Sequence, residues 1–277
     1  MLTDTHAHLF WESFKNDFDE MVQRAIDAGV TTIINVGTDL DSSQKALLQV
    51  QNELAGFPKL ATYSSIGIHP HDAIKFIDNP EKQIEEAVNK LEEIYHSDPK
   101  KVVAVGECGL DYVFENNPDF IPTGYSINQI KELQKKLLKA QVELAKKLNL
   151  PLLIHTREAW GEIWDLIENH FGILHCYSGD SKMTKKALDS SFLVSFAATI
   201  TYPKNEFLRE AAKILPLEKI VLETDCPFLP PQSKRGQRNE PQTILEIAKL
   251  ISDLKNIKLE EISNQTSQNA KKLFKII

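Results

Sequence analysis

Near the start of the chain stand His6 and His8, two imidazoles separated by one residue in the stretch MLTDTHAHLF. On an extended segment, side chains two apart project to the same side, so such a pair can grip one cation. A lone pair of this kind is weak evidence. The chain also carries Glu107, His155, His175 and Asp225, each at the end of a short apolar run. Four histidines and two carboxylates exceed what one tetrahedral ion needs, so the count favours two divalent ions with Glu107 as their bridge. One ion is expected on His6, His8 and Asp225, the other on His155 and His175. A bridging hydroxide between them would attack an electrophilic phosphorus or carbonyl carbon, with Asp225 accepting its proton. The chemistry predicted is metal-assisted hydrolysis, with Asp225 and Glu107 as the catalytic carboxylates.

Other residues fit around such a centre. His69 and His71 form a second His-x-His pair; His69 is expected to orient a phosphate or a water and His71 to be structural. Arg157 follows His155 by two and should face the same mouth, where its planar fork suits a phosphate. Ser178 and Tyr177 offer hydroxyls to the same group. Lys234, Arg235 and Arg238 form a local basic cluster that can steer a nucleic-acid backbone, with Arg238 as a substrate contact. Tyr112 and Phe114 either stack on a splayed base or pin their own loop. Trp160 and Trp164, four apart, read as packing.

These groups lie far apart in sequence, so the fold must gather them. Short β-rich runs recur at 2–5, 31–36, 60–66, 102–107, 151–155, 172–175, 192–196 and 220–224, and segments with helical apolar spacing lie between them. Phe18, Met21, Val22, Ala25 and Ile26 mark one such helix, and Ile130, Leu133, Leu137, Leu138 and Val142 a longer one. Several strands are nearly continuous apolar runs, as parallel strands covered by helices are. An open doubly wound sheet gives the same local pattern; eight β-α units favour a closed barrel, whose strand ends converge on one mouth. Cys108, next to Glu107 on its strand, should then point away into the helix-packed layer. The irregular segments 112–126 and 227–239 follow the fourth and eighth runs.

Composition sets outer limits. With 277 residues, 42% hydrophobic and 26% charged, the chain can bury a large core, and one domain over 1–277 is expected. A net charge of -7 argues against a broad basic face that coats duplex nucleic acid. Three scattered cysteines suggest neither a disulfide framework nor a thiolate metal site. No run is long enough to span a bilayer, and a cytoplasmic monomer with no membrane partner is expected.

Seven ordered motifs resemble those of the TatD-type deoxyribonucleases: MLTDTHAHL, SIGIHPHDA at 65–73, AVGECGLDY at 104–112, LNLPLLIHTREAW at 148–160, HCYSGD at 175–180, LETDCPFL at 222–229 and RGQRNEP at 235–241. The resemblance implies an α/β fold, the TIM (β/α)8 barrel of the metal-dependent hydrolases, with DNA as substrate. It further implies exonuclease removal of nucleotides from single-stranded 3′ ends, with magnesium supporting turnover; by ligand type, the mixed nitrogen and oxygen donors also suit zinc or manganese. Its metal positions fall on His6, His8, Glu107, His155, His175 and Asp225. Related barrels also run acyl chemistry, so an amidohydrolase or a D-aminoacyl-tRNA deacylase using the same site is the alternative. Phe10 and Lys234 depart from the residues usual in the family, and they bear on substrate choice.

Overall fold

The computed structural model describes residues 1–115 and 124–276. Its centre is one sheet of eight strands in chain order: β1 (Leu2–Ala7), β2 (Val30–Val36), β3 (Ala61–Ile66), β4 (Val102–Asp111), β5 (Leu152–Arg157), β6 (Gly172–Leu174), β7 (Phe192–Phe196) and β8 (Ile220–Leu222). Every neighbouring pair is parallel. A parallel bridge between Ala7 and Cys226, just past β8, joins the last strand to the first. That closure excludes the open doubly wound sheet and makes the fold a TIM barrel.

Helices α1 (Phe18–Asp27), α2 (Leu40–Gln51), α3 (Pro80–Ser97), α4 (Ile127–Leu148), α5 (Trp160–Ile167), α6 (Ser181–Asp189), α7 (Glu206–Ile214) and α8 (Ile244–Lys255) cover the outside, and α9 (Leu259–Phe274) follows. Local chemistry sets their ends. Ser126 and Gln129 cap α4 reciprocally, and Asn149 ends it in the left-handed conformation at φ 53°. The apolar stripe of α4, including Ile130, Leu133, Leu137 and Leu138, is buried against the sheet.

Two apolar layers result. The outer one lies between strands and helices; the inner one fills the barrel with Ile34, Val36, Val103, Ala104, Leu153, Ile173 and Val221. Helix α9 closes the floor, where Ala270 and Phe274 join the inner layer. The Asn269 amide donates to the carbonyls of Leu217 and Ile220, both at 2.8 Å, at the start of β8. The opposite end, where the strands finish, is therefore the open one.

Four strands end two or more residues away from the sequence expectation: β1 and β5 run on to Ala7 and Arg157, and β4 and β8 also differ. β4 continues past Glu107 to Asp111, with a register shift between Val105 and Cys108. β8 stops at Leu222, so Glu223, Thr224 and Asp225 lie in the loop above it. Cys108 is buried in the outer layer as expected, and burial raises its thiol pKa well above the ordinary value. Tyr112 and Phe114 are buried, so they hold their loop to the barrel and do not offer a base platform. Most of the expected 112–126 loop, residues 116–123, lies outside the described residues. Among the described residues, no helix is long and apolar enough to cross a membrane.

Candidate metal centre

The barrel mouth gathers all six expected ligands around the buried carboxylate of Glu107. Its Oε2 lies 3.3 Å from His6 Nε2 and 3.9 Å from His8 Nε2. Its Oε1 lies 2.9 Å from His155 Nδ1, 3.4 Å from His175 Nε2 and 3.5 Å from His69 Nε2. The two oxygens thus face two different sets of nitrogens. Asp225 Oδ1 completes the first set, 3.3 Å from His8 Nε2 and 3.9 Å from His6 Nε2. Within each of the groups His6–His8–Asp225, His6–Glu107–His175 and His69–Glu107–His155, ligand atoms lie within 4.8 Å of one another.

Backbone pairing brings them there. Asp225 N donates to the His6 carbonyl at 2.9 Å and His8 N to the Cys226 carbonyl at 2.8 Å, which locks the β8 loop beside β1. Asp225 and Cys176 adopt positive φ, 56° and 41°, a conformation costly for residues with side chains and concentrated at functional sites. Gly106 at φ 147° leaves no room for a side chain, since a Cβ there would sit 2.6 Å from Leu153 Cβ.

The imidazoles are held with chosen nitrogens inward. His8 Nδ1 lies 2.7 Å from the Val36 carbonyl, so it carries the proton and leaves the Nε2 lone pair toward Asp225. His155 Nε2 lies 2.9 Å from Asp111 Oδ2, which leaves Nδ1 toward Glu107. His175 Nδ1 makes a charge contact with Glu223 Oε1 at 2.9 Å without hydrogen-bond geometry, and its Nε2 lies 3.4 Å from Glu107 Oε1. Lone pairs aimed at carboxylate oxygens at these distances repel unless a cation or proton lies between them. His6 Nε2 and His8 Nε2, 3.3 Å apart, raise the same conflict. This donor set fits divalent ions, and imidazole nitrogens backed by carboxylates or a carbonyl are how proteins hold them.

The protonation pattern agrees. Burial pushes the His155 and His175 imidazoles down, yet Asp111 and Glu107 raise His155 to about 9, and Glu223 and Glu107 raise His175 to about 10. Burial raises the Glu107 and Asp225 carboxyls, but the charge of His175 on Glu107 and the hydrogen bond from His8 to Asp225 outweigh it and keep both below the ordinary range. Burial lowers His69 to about 3. Without metal, protons on His155 and His175 supply the positive charge that ions would bring.

Three supporting carboxylates were missed in the sequence. Asp111 accepts from His155 and lies 3.0 Å from His71 Nε2, which gives His71 a partner at the rim. Glu223 backs His175 and accepts from Cys176 N at 2.7 Å. Asp4, buried under the mouth, accepts from His6 N at 3.2 Å, Thr224 N at 2.9 Å and Thr224 Oγ1 at 2.5 Å, tying β1 to the β8 loop. The acidic spacing Glu107-x-x-x-Asp111 and the position of Glu223 two before Asp225 were the signals available.

The expected substrate contacts fall out unevenly. His69 sits closer to the centre than anticipated, against Glu107 and with its ring 4.5 Å from that of His155. Arg157 ends β5 exposed, with no ion pair among the described residues, and Ser178 is exposed near the mouth. Arg238 requires a correction. Its guanidinium is engaged by both Asp17 oxygens at 2.7 Å and by Glu240 at 2.8 Å, and it covers the Phe14 ring, so it braces the loops and presents no open fork to a phosphate.

A closed barrel with buried histidines and carboxylates converging at its mouth defines a metal-dependent hydrolase of the TIM-barrel type. The model of the family described as TatD related DNase matches residues 3–275, and the chain belongs to that family. It is 34% identical over 281 residues to the metal-dependent hydrolase YabD of Bacillus subtilis, covering 100% of each. It is 30% identical over 279 residues to human deoxyribonuclease TATDN3, covering 99% of this chain and 94% of the relative. The crystal structure of YjjV, a TatD homolog from Escherichia coli, superposes with a TM-score of 0.82 at 27% identity, covering 100% of this chain and 98% of that one.

Proposed function

We propose that the protein hydrolyses phosphodiester bonds of DNA, removing nucleotides from single-stranded 3′ ends, at a centre of two divalent ions with magnesium the working ion. The observation that carries this reading is Glu107, whose Oε2 lies toward His6 and His8 and whose Oε1 lies toward His155, His175 and His69, with the His6 and His175 rings stacked between them at 3.6 Å. A pair of divalent ions there would supply an activated water and neutralise the charge that builds on the phosphoryl and leaving oxygens. The chain's residues do the rest. Asp225, kept ionised and 13% exposed at its side chain, is placed to accept a proton from the attacking water. His69, neutral at ordinary pH, offers or accepts a hydrogen bond without competing charge. Arg157 and Ser178, both exposed and two and three residues past His155 and His175, would hold the substrate phosphate.

The family model and the human relative, named a deoxyribonuclease, support DNA as the substrate. The test uses metal-stripped protein resupplied with magnesium, manganese or zinc and incubated with end-labelled single-stranded DNA, with a D-aminoacyl-tRNA in parallel. A ladder shortening from the 3′ end is expected. Ester release from intact nucleic acid would replace the substrate assignment with the acyl one.

A further inference from the structure

Beside His8 the mouth carries an aromatic cluster that the metal centre does not use. Phe10 and Trp11 follow β1, and Phe228 follows β8. The rings of Phe10 and Phe228 lie 5.9 and 6.0 Å from that of His8. Trp11 lies edge-on to Phe228 at 5.2 Å and nearly parallel to Phe10, at 6.5 Å and 24°. Trp11 and Phe228 each keep 43% of their surface exposed. Next to them is a cleft of about 390 Å³ lined by Leu9, Phe10, Trp11, Phe18 and Leu48, with Lys15 and Lys45 among its other walls. Contiguous large apolar rings left in water mark binding surfaces more often than single exposed residues do.

We propose that Trp11 and Phe228 form a stacking platform for the unpaired nucleobase flanking the scissile phosphate. The inference rests on the phosphodiesterase reading and adds to it the part of the substrate that is recognised. Continuity with the centre selects the occupant: two of these rings touch a ligand imidazole, so whatever covers them is joined to the group at the ions. A base has two flat faces, stacks on aromatic side chains whatever its sequence, and is available only when unpaired. The platform therefore favours frayed or single-stranded ends and gives little discrimination among the four bases.

The test compares an oligodeoxynucleotide with the same strand made abasic in its terminal nucleotides, using the metal-loaded enzyme. The reading is the ratio of kcat/KM between the two substrates. In Trp11→Ala and Phe228→Ala this ratio should fall by about 5- to 150-fold, the range that stacked bases show on alanine substitution. Trp11→Phe should restore most of it. Both side chains are surface rings, and circular dichroism controls for folding. A ratio unchanged from wild type overturns the platform and leaves the hydrolase reading standing. Should the wild type cut no DNA, that reading fails separately, and equilibrium binding of dAMP decides the platform. Quenching of tryptophan fluorescence that disappears in Trp11→Phe supports it, and quenching that persists there, or none in the wild type, overturns it.

Discussion

Asp111→Asn isolates the role of a carboxylate that lies outside the ligand set. Asp111 is 1% exposed, and its Oδ2 lies 2.9 Å from His155 Nε2 and 3.0 Å from His71 Nε2. It sets the His155 tautomer and turns Nδ1 toward Glu107. Asparagine keeps the size and one acceptor oxygen but loses the charge. Partners of this kind are worth about 10- to 100-fold in metal affinity or activity, equal to about 1.4–2.8 kcal/mol. The fold should survive, because the Asp111 main chain is held by the Gln134 side chain independently of the carboxylate: Asp111 N donates to Gln134 Oε1 at 2.9 Å, and Gln134 Nε2 donates to the Asp111 carbonyl at 3.0 Å. Calorimetric titration of manganese or zinc into metal-stripped protein, with circular dichroism alongside, measures the effect. Wild-type metal affinity together with wild-type kcat in a folded Asp111→Asn protein would refute the reasoning.

Further outcomes are expected. Glu107→Ala should abolish hydrolysis with little change in circular dichroism; activity surviving in a metal-verified assay would remove the carboxylate from the centre. The folded pKa values of His155 and His175 are raised, to about 9 and about 10, so their protons stabilise the metal-free protein fully below about 6.5, and that contribution is lost as pH rises through those values. Ions must displace the same protons, so metal affinity should rise steeply from pH 6.5 to 8.5, read by calorimetry in buffers of different ionisation enthalpy; a flat profile contradicts the protonation pattern. Arg238→Ala should cost about 1 kcal/mol of stability, a Tm drop of about 2–4 °C, through its partly exposed pairs with Asp17 and Glu240, while the KM for DNA stays near wild type. Phe274→Ala opens a cavity in the barrel floor and should cost about 3–5 kcal/mol in a denaturant titration.

The barrel and the convergence of its candidate ligands were legible in the sequence for one physical reason: parallel strands end at one mouth, so a residue able to bind metal closing each apolar run predicts convergence. His6, His8, Glu107, His155, His175 and Asp225 were readable that way, and the structure brings them together. Asp111 was not, because β4 was expected to end at Glu107, and the register shift after Val105 that carries the strand onward has no signature in residue type. Glu223 and Asp4 are carboxylates whose partners lie across strand boundaries, a relation that appears only once β8 lies beside β1. Arg238 misled for the opposite reason. A basic cluster in a loop resembles a phosphate site, and only the fold shows that Asp17 and Glu240 already occupy its guanidinium. The role of α9 as the barrel floor likewise depends on where Ala270 and Phe274 come to rest.

The central claim is a dinuclear centre built around Glu107, and the metal content of the reconstituted protein tests it most directly. Metal-stripped wild type and Glu107→Ala, each re-equilibrated with manganese and freed of excess ion, are measured by elemental analysis against protein concentration. Two ions per wild-type chain and a clear loss in the variant are predicted. One ion per chain in the wild type, or the same content in both proteins, would contradict the bridging carboxylate and the mechanism built on it.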